Sequence, residues 1–265
     1  MLKPNRTTKI ILWLVATAVA VWLIAPTLIV IPLSFTDKAS LSFPPSGWSA
    51  RWYESFFTNW QWTTALGNSL LLGLLVALLA TVLGLFAALG LRHIVKKKTV
   101  GILTTGLLAP MIVPSIVIAI GIYAVFLKLG IVGTLVGFLL AHTVLALPFT
   151  VVAITAGFAS FDERLELAAQ SLGASPIKTF LSVTMPNIAP SMVSGALFAF
   201  VTSFDEVMIS LFIKSPHFET LPVLMYASVT RDTDPTLAAA ATMILVLTTL
   251  LVAISLTFVG RKKRG

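Results

Sequence analysis

Apolar residues lie in long blocks that are separated by short polar segments. A helix needs about 20 apolar residues to cross the hydrocarbon of a bilayer. None of the blocks shows the strict alternation of a barrel strand. The pattern therefore predicts an all-α, polytopic membrane protein with six transmembrane helices, at approximately Ile10 to Phe35, Thr63 to Leu91, Val100 to Leu127, Ile131 to Phe158, Ile188 to Ile213 and Leu237 to Val259.

The composition agrees with this pattern. Of the 265 residues, 57% are hydrophobic and 11% are charged, whereas an ordinary soluble domain has roughly a quarter charged residues. An ordinary soluble fold is therefore excluded, and we expect one transmembrane domain over residues 1–265. The chain has no cysteine, which excludes disulfides, thiolate metal sites and a cysteine nucleophile.

The net charge of +8 suggests either nucleic-acid binding or membrane topology. Topology is favoured, because the basic residues cluster at the ends of the apolar blocks instead of forming one stripe. With the N-terminus inside, thirteen basic residues fall on the inner side and five on the outer side. We therefore expect both termini in the cytoplasm, with the first span as an uncleaved anchor. The inner residues are Lys3, Arg6, Lys9, Arg92, Lys96, Lys97, Lys98, Arg164, Lys178, Arg261, Lys262, Lys263 and Arg264; the outer ones are Lys38, Arg51, Lys128, Lys214 and Arg231.

The segment between the fourth and fifth spans, about residues 158–186, is the one sizeable cytoplasmic loop. Ser160 precedes Glu163 with the spacing of a capping box, which predicts a short helix that begins there. Gly173 is expected to end this helix, and a second short helix is expected from Ile177. The first helix has a small apolar face, made by Leu165, Leu167, Ala168, Leu172 and Gly173.

The 158–186 loop resembles the cytoplasmic signature of the membrane subunits of binding-protein-dependent ATP-binding cassette (ABC) importers. That signature reads Glu-Ala-Ala, three residues, Gly, nine residues, Ile, one residue, Leu-Pro. Leu167 stands where the family has glutamate, and Glu166 lies one residue earlier, which is a turn of about 100° around a helix. Aligned on the glycine, the matching positions are Leu167, Ala168, Ala169, Gly173, Val183, Met185 and Pro186.

The resemblance implies that this loop forms coupling helices that dock in a cleft of an ATPase subunit. The docking residues would be Glu166, Leu167, Ala168, Ala169, Gly173 and Ala174. No Gly-x-x-x-x-Gly-Lys-Ser/Thr pattern occurs in the chain, so ATP and Mg²⁺ are expected on a partner ATPase dimer. The other partners implied are a second, homologous permease subunit, a periplasmic or extracellular substrate-binding protein and membrane lipid, in a bacterial inner membrane.

Asp205 and Glu206 are adjacent acids inside the otherwise apolar fifth block, near Ser203. Acids at membrane depth are costly and usually face a cavity or a partner. Two interpretations stay open: a cation-attracting patch on the substrate pathway, to which Ser203 would also belong, or a local salt bridge or caps near the helix end. The stretch Ser203 to Ser210 resembles the polyamine (spermidine/putrescine) permease branch, which implies a small organic cation; related branches carry ferric iron, thiamine, phosphonates or sulfate.

Two other classes of protein were weighed. An ion-driven secondary transporter usually shows internal repeats and more midplane polar residues, and an intramembrane enzyme requires an acid, base or metal set. The sequence shows neither feature. His142, alone in the fourth span, is read as a packing residue whose polar atoms are satisfied. We therefore expect no catalytic residue and no metal site.

Overall fold

The structure is a computed structural model that describes residues 5–231 and 234–261. Within these ranges the chain is helical, and β-structure is limited to two isolated bridges. Lys3, Lys262, Lys263 and Arg264, which contributed to the predicted topology, lie outside the described residues. The helices are α1 (Arg6–Ser34), α2 (Arg51–Thr58), α3 (Trp60–His93), α4 (Lys97–Leu108), α5 (Ser115–Leu129), α6 (Leu135–Ala159), α7 (Arg164–Ser171), α8 (Pro176–Thr179), α9 (Met185–Phe204), α10 (Met208–Ile213), α11 (Leu221–Arg231) and α12 (Thr236–Arg261).

Four helical segments in the described ranges are long and apolar enough to cross a membrane. Three of them correspond to the predicted first, second and fourth spans: Arg6–Ser34, Trp60–His93 and Leu135–Ala159. The other, Pro176–Phe204, overlaps the predicted fifth span but begins before Ile188 and ends before Ile213, because the helix breaks after Phe204. This segment combines α8, a π-helical turn at Phe180–Thr184 and α9. The chain is thus an all-α, multi-pass membrane protein.

The predicted third span differs from a simple transmembrane helix. Lys97–Met111 and Ser115–Leu129 form a pair bent by 95°, which fits one broken span or a re-entrant loop. Pro114 lies at the break, where it has no N–H to continue a helix. Helix α12 has 26 residues, Thr236–Arg261, and it covers the predicted sixth span. The count of six spans therefore stays a prediction.

The chain divides into two compact units. The first contains residues up to Thr63 together with Ala227–Leu247, and the second contains Thr64–Tyr226 together with the segment from Thr248 onward. Both candidate site regions, the 158–186 loop and the acids of the fifth block, belong to the second unit.

In the first unit, the chain after α1 folds back onto α2. The indole N–H of Trp52 donates to the carbonyl of Thr36 at 2.8 Å, and the hydroxyls of Ser34 and Tyr53 lie 2.7 Å apart. Phe56 is fully buried. Part of an aromatic segment that is typical of a membrane interface thus forms the packed core of this unit.

Helix α1 is apolar on all sides, and none of the residues in its most apolar window is buried within the chain. Trp13 and Trp22 are 74% and 80% exposed. A helix of this kind leaves its surface to lipid or to another protein chain.

The second unit is built on a close crossing of α3, α6 and α9 at Thr150. The Thr150 hydroxyl donates to the carbonyl of Ala80 on α3 at 2.8 Å. A Cβ added at Gly84 would lie 2.8 Å from Cβ of Thr150, and one added at Gly195 would lie 3.2 Å from Cα of Thr150. Glycine at these two positions allows the helix backbones to approach, as small residues do in membrane bundles.

We predict that Gly84→Ala destabilises the protein by about 1–3 kcal/mol, because the added methyl group overpacks the contact with Thr150. The matched control is Gly90→Ala on the same helix, where an added Cβ meets no atom within 4 Å. The control should be neutral or slightly stabilising. Thermal unfolding of the purified variants in detergent measures both effects, and equal midpoints for the two variants would contradict the close crossing.

Candidate functional site

The 158–186 loop folds into two short helices, α7 and α8, as the sequence predicts. The predicted capping box is wrong. The Ser160 hydroxyl donates to the carbonyl of Gly157 at 2.9 Å, because Ser160 ends α6. Instead, the amide of Arg164 donates a hydrogen bond to the carboxylate of Asp162 at 3.0 Å. Glu163 occupies the N-cap position, but its side chain makes no capping hydrogen bond.

Gly173 ends α7 in the left-handed conformation, with φ of +86°. Its amide donates to the carbonyl of Gln170 at 2.9 Å, and the amide of Ala174 donates to that of Ala169 at 3.1 Å. Glycine suits this position because it has no Cβ. A Cβ added there meets no atom within 4 Å, so the space beside Gly173 is open in this chain.

Several large apolar side chains of the loop are exposed. Leu167 is 62% exposed, Leu172 is 89% exposed and Ile177 is 73% exposed. The predicted contact residue Ala168 is also exposed, whereas Ala169 and Ala174 are half-buried. We call the set of exposed apolar residues the loop face: Leu165, Leu167, Ala168, Leu172 and Ile177. Exposed large apolar side chains that occur together in one segment often mark an interaction site.

Glu166 points away from the loop face and into the protein. Its carboxylate accepts two hydrogen bonds from the guanidinium of Arg92 at the end of α3, at 2.9 and 2.8 Å. The hydroxyl of Thr184, in the π-helical turn before α9, donates to the same carboxylate at 2.6 Å. One carboxylate thus joins α7 to the end of α3 and to the start of α9.

Arg92 makes further contacts in the same place. Its guanidinium lies 3.2 Å from the carboxylate of Glu163 and 5.3 and 5.7 Å from the ring centres of Phe158 and Phe161. The Arg92 side chain is 17% exposed and that of Glu166 is 22% exposed, so water screens their pair less than a surface pair. From the sequence, Arg92 counts only as a basic residue on the inner side of the membrane. No spacing pattern connects Arg92 with Glu166, which lies 74 residues later.

The guanidinium of Arg92 lowers the pKa of the Glu166 carboxyl from its ordinary value; partial burial opposes this, and Thr184 adds to the lowering. A carboxyl whose pKa is lower in the folded protein stabilises that state above the pKa of the unfolded chain. The contribution is lost as the pH falls through the folded-state pKa.

We predict that Glu166→Gln destabilises the protein by about 1–3 kcal/mol near neutral pH, because it removes the charge-assisted pair. The difference from the wild type should be constant at neutral pH and shrink as the pH falls below about 4.3, the ordinary pKa of glutamate. Thermal unfolding in detergent across this pH range measures it. Glu163→Gln, at a carboxylate that is 72% exposed, is the control, and a pH-independent difference for Glu166→Gln would refute the assignment.

The two acids of the fifth block lie in a helix break. Helix α9 ends at Phe204 and α10 begins at Met208, and we call the residues between them the 205–207 break. The carboxylate of Glu206 accepts the amide of Ile209 at 2.8 Å, so Glu206 caps the start of α10. Asp205 is exposed, and its carboxylate has no hydrogen bond or ion pair with any residue that the structure describes. The capping interpretation thus fits Glu206, and Asp205 is the free acid of the pair.

Ser203 is buried, and its hydroxyl lies 3.0 Å from Nδ1 of His142 on α6. The other ring nitrogen, Nε2, lies 2.9 Å from the hydroxyl of Ser210 on α10. The Ser203 hydroxyl is thus turned into the protein and away from Asp205. Sequence reasoning read His142 as a satisfied packing residue, which it is, but missed its two partners. Among residues 5–231 and 234–261, no three His, Asp or Glu side chains come together as a possible metal site.

The helices that the structure describes are those of a multi-pass membrane protein. Residues 80–265 match the family described as binding-protein-dependent transport system inner membrane component. The chain belongs to this family, and it is the permease subunit of an ABC importer. Proteins of this kind are transport components and not enzymes in their own right.

Curated relatives in the family include polyamine permeases. The chain is 31% identical over 230 residues to the putrescine transport system permease protein PotI of Escherichia coli, covering 84% of this chain and 82% of the relative. It is 33% identical over 237 residues to the spermidine/putrescine transport system permease protein PotC of Haemophilus influenzae, covering 88% and 90%. A permease protein named for 2-aminoethylphosphonate transport, PhnV of Salmonella paratyphi A, is 32% identical over 239 residues, covering 88% and 89%.

Among solved structures, the fold is similar to a chain of a bacterial alginate ABC transporter in complex with its alginate pentasaccharide-bound periplasmic protein. The TM-score is 0.71 at 17% identity, over 94% of this chain and 93% of the other. At this identity the likeness shows the fold alone, which is that of an ABC transporter permease.

Proposed function

We propose that this chain forms part of the pathway for a small organic polycation such as putrescine or spermidine, driven by ATP hydrolysis in a partner subunit. The single observation that supports the substrate class best is the free carboxylate of Asp205 at a break between two apolar helices. In this proposal both termini are cytoplasmic. The other partners are a second permease subunit and an external binding protein, and the chain itself holds no cofactor.

The loop face is the proposed docking surface for the ATPase. Its side chains are apolar and exposed, and all but Ala168 are large, whereas two acids of the same loop, Glu163 and Glu166, contact Arg92. A protein interface that buries such side chains gains most of its energy from a few of them. Leu167 then supplies apolar contact at the position of the family glutamate, and Glu166 stiffens the helix that presents it.

We predict that Leu172→Asp lowers binding-protein-stimulated ATP hydrolysis at least about tenfold, because a charge would be buried without a partner in the ATPase cleft. The matched control is Val95→Asp in the α3–α4 connection, where the residue is 93% exposed. Hydrolysis is measured on purified complex and normalised to the amount of permease.

Leu172 is a better probe of docking than the neighbouring glycine. Any side chain at Gly173 is strained by its positive φ, so a bulky residue there combines two effects. Full stimulation in Leu172→Asp, or an equal loss in Val95→Asp, would refute the docking role of the loop face.

The charge of Asp205 suits an ammonium group. At an effective dielectric constant of about 20, one charge pair at 4 Å contributes on the order of 4 kcal/mol before desolvation. Desolvation leaves about 1–2 kcal/mol, which is roughly tenfold in apparent affinity. Glu206 contributes less to this attraction, because its carboxylate is engaged by the amide of Ile209.

A second candidate substrate is an aminoalkylphosphonate, which the similarity to PhnV favours. Putrescine, spermidine and 2-aminoethylphosphonate share an alkylammonium group, so Asp205 is suited to all three. They differ in the phosphonate, which carries negative charge. Competition between putrescine and 2-aminoethylphosphonate for uptake in vesicles distinguishes the two proposals.

We predict that Asp205→Asn raises the KM for putrescine about tenfold and leaves the amount of assembled complex unchanged. Glu206→Gln should weaken the start of α10 and lower the amount of complex, with a smaller effect on KM. Uptake of labelled putrescine in vesicles, normalised to assembled complex, measures both. An unaltered KM in Asp205→Asn would remove the cation site.

A further inference from the structure

A single histidine connects the two sides of the 205–207 break. Ser203 lies in the last turn of α9 and Ser210 in the first turn of α10. Both hydroxyls are within 3.0 Å of the same imidazole, one at each nitrogen. The ring belongs to His142 on α6, which is outside the broken segment and 1% exposed.

The chemistry of the ring explains why both serines are needed. A neutral imidazole has one N–H donor and one acceptor nitrogen, whereas a hydroxyl can both donate and accept a hydrogen bond. One serine therefore accepts from the ring and the other donates to it, so that all the polar atoms of this buried contact are satisfied. An apolar residue at position 142 would leave two buried hydroxyls without these partners, which is costly in a membrane protein.

The histidine is itself held in place. The ring of Phe138, one turn earlier on α6, lies 5.8 Å from the ring of His142 and 4.7 Å from that of Phe218. On either side of the break, Phe204 and Ile209 are buried at 1% and 0% exposure. The two serines and these two apolar residues thus face the interior of the second unit. The exposed residues of this stretch are Asp205 and Met208, and Asp205 is the charged one.

We propose that His142 is a positioning residue: it fixes the rotation of α9 relative to α10 and thereby holds the Asp205 carboxylate on the transport pathway. This inference rests on the proposed function, in which Asp205 attracts the transported cation. The physical reason is helical geometry. If α9 continued by one residue or the break shifted, each side chain would turn by about 100°, and Asp205 would exchange its exposed position for a packed one.

Accessibility at position 205 tests the geometry without any substrate. The chain has no cysteine, so Asp205→Cys gives this subunit a single reactive thiol in the assembled transporter. We expect His142→Phe, combined with Asp205→Cys, to slow the reaction of this thiol with a charged methanethiosulfonate about tenfold, as the buried side-chain contacts that hold the break are lost. Labelling of this chain is followed by gel shift on complex in membrane vesicles.

Three matched variants separate loss of the contacts of His142 with Ser203 and Ser210 from general disruption of the core. The double variant Ser203→Ala with Ser210→Ala removes both hydroxyls without adding bulk, and it should slow labelling as much as His142→Phe does. If His142→Phe does not assemble, the double variant tests the proposal in its place. Ser210→Thr keeps a hydroxyl, so its thiol at position 205 should be labelled at the wild-type rate. Thr143→Val removes a neighbouring buried hydroxyl that bonds only within α6, to the carbonyl of Leu139 at 2.6 Å, and should have no effect.

Transport kinetics test whether His142 acts through Asp205. His142→Phe should raise the KM for putrescine about tenfold in otherwise wild-type complex, and should add nothing when Asp205→Asn is already present. Additive effects of the two substitutions would show that His142 acts elsewhere and would overturn the proposal.

The two proposals fail in different ways. If wild-type complex does not take up putrescine but labelling at position 205 depends on His142 as described, the substrate is wrong and the positioning stands. If labelling and KM are unchanged in both His142→Phe and the double serine variant, the histidine is a packing residue only. A reduced amount of complex with normal labelling and normal KM also overturns the proposal.

Discussion

Backbone amides and carbonyls inside a bilayer have no water to bond with, and this constraint governs the rest of the structure. Most of the apolar sequence meets it as helix. The 205–207 break departs from helix, and several groups there are still bonded. The amides of Asp205 and Glu206 donate to the carbonyls of Val201 and Ser203 at 3.0 and 3.4 Å, and the amide of Ile209 in α10 donates to the carboxylate of Glu206 at 2.8 Å. Non-helical backbone inside a bilayer is tolerated only where it is packed by protein or lines a cavity.

Helix α9 connects the two candidate site regions. It begins after Thr184, whose hydroxyl donates to Glu166 in the loop, and it ends before Asp205. Its 20 residues span about 30 Å. The Arg92–Glu166 pair fastens α7 to α3 at the same end. The loop is therefore joined to α3 and α9 by hydrogen bonds and an ion pair, and α9 leads from the loop to the acid.

The sequence by itself determined the features that depend on neighbouring residues. Long apolar blocks predict helices, because the bilayer imposes the same requirement on every residue of a span. Gly173 was identified as a helix end, which a positive φ confirms. The signature of the 158–186 loop identified the family. Local reasoning was wrong at Ser160, where two helix ends lie close together and the hydroxyl bonds the earlier helix.

The tertiary structure alone decided which side chains meet. Arg92 and Glu166 are 74 residues apart, and His142 is 61 residues from Ser203. Glu206 is a cap and Asp205 is free, although the two acids are adjacent and equally polar in the sequence. Such contacts depend on the rotation, tilt and termination of packed helices. Periodicity fixes which residues share one helix face, but it does not fix which face of another helix lies opposite.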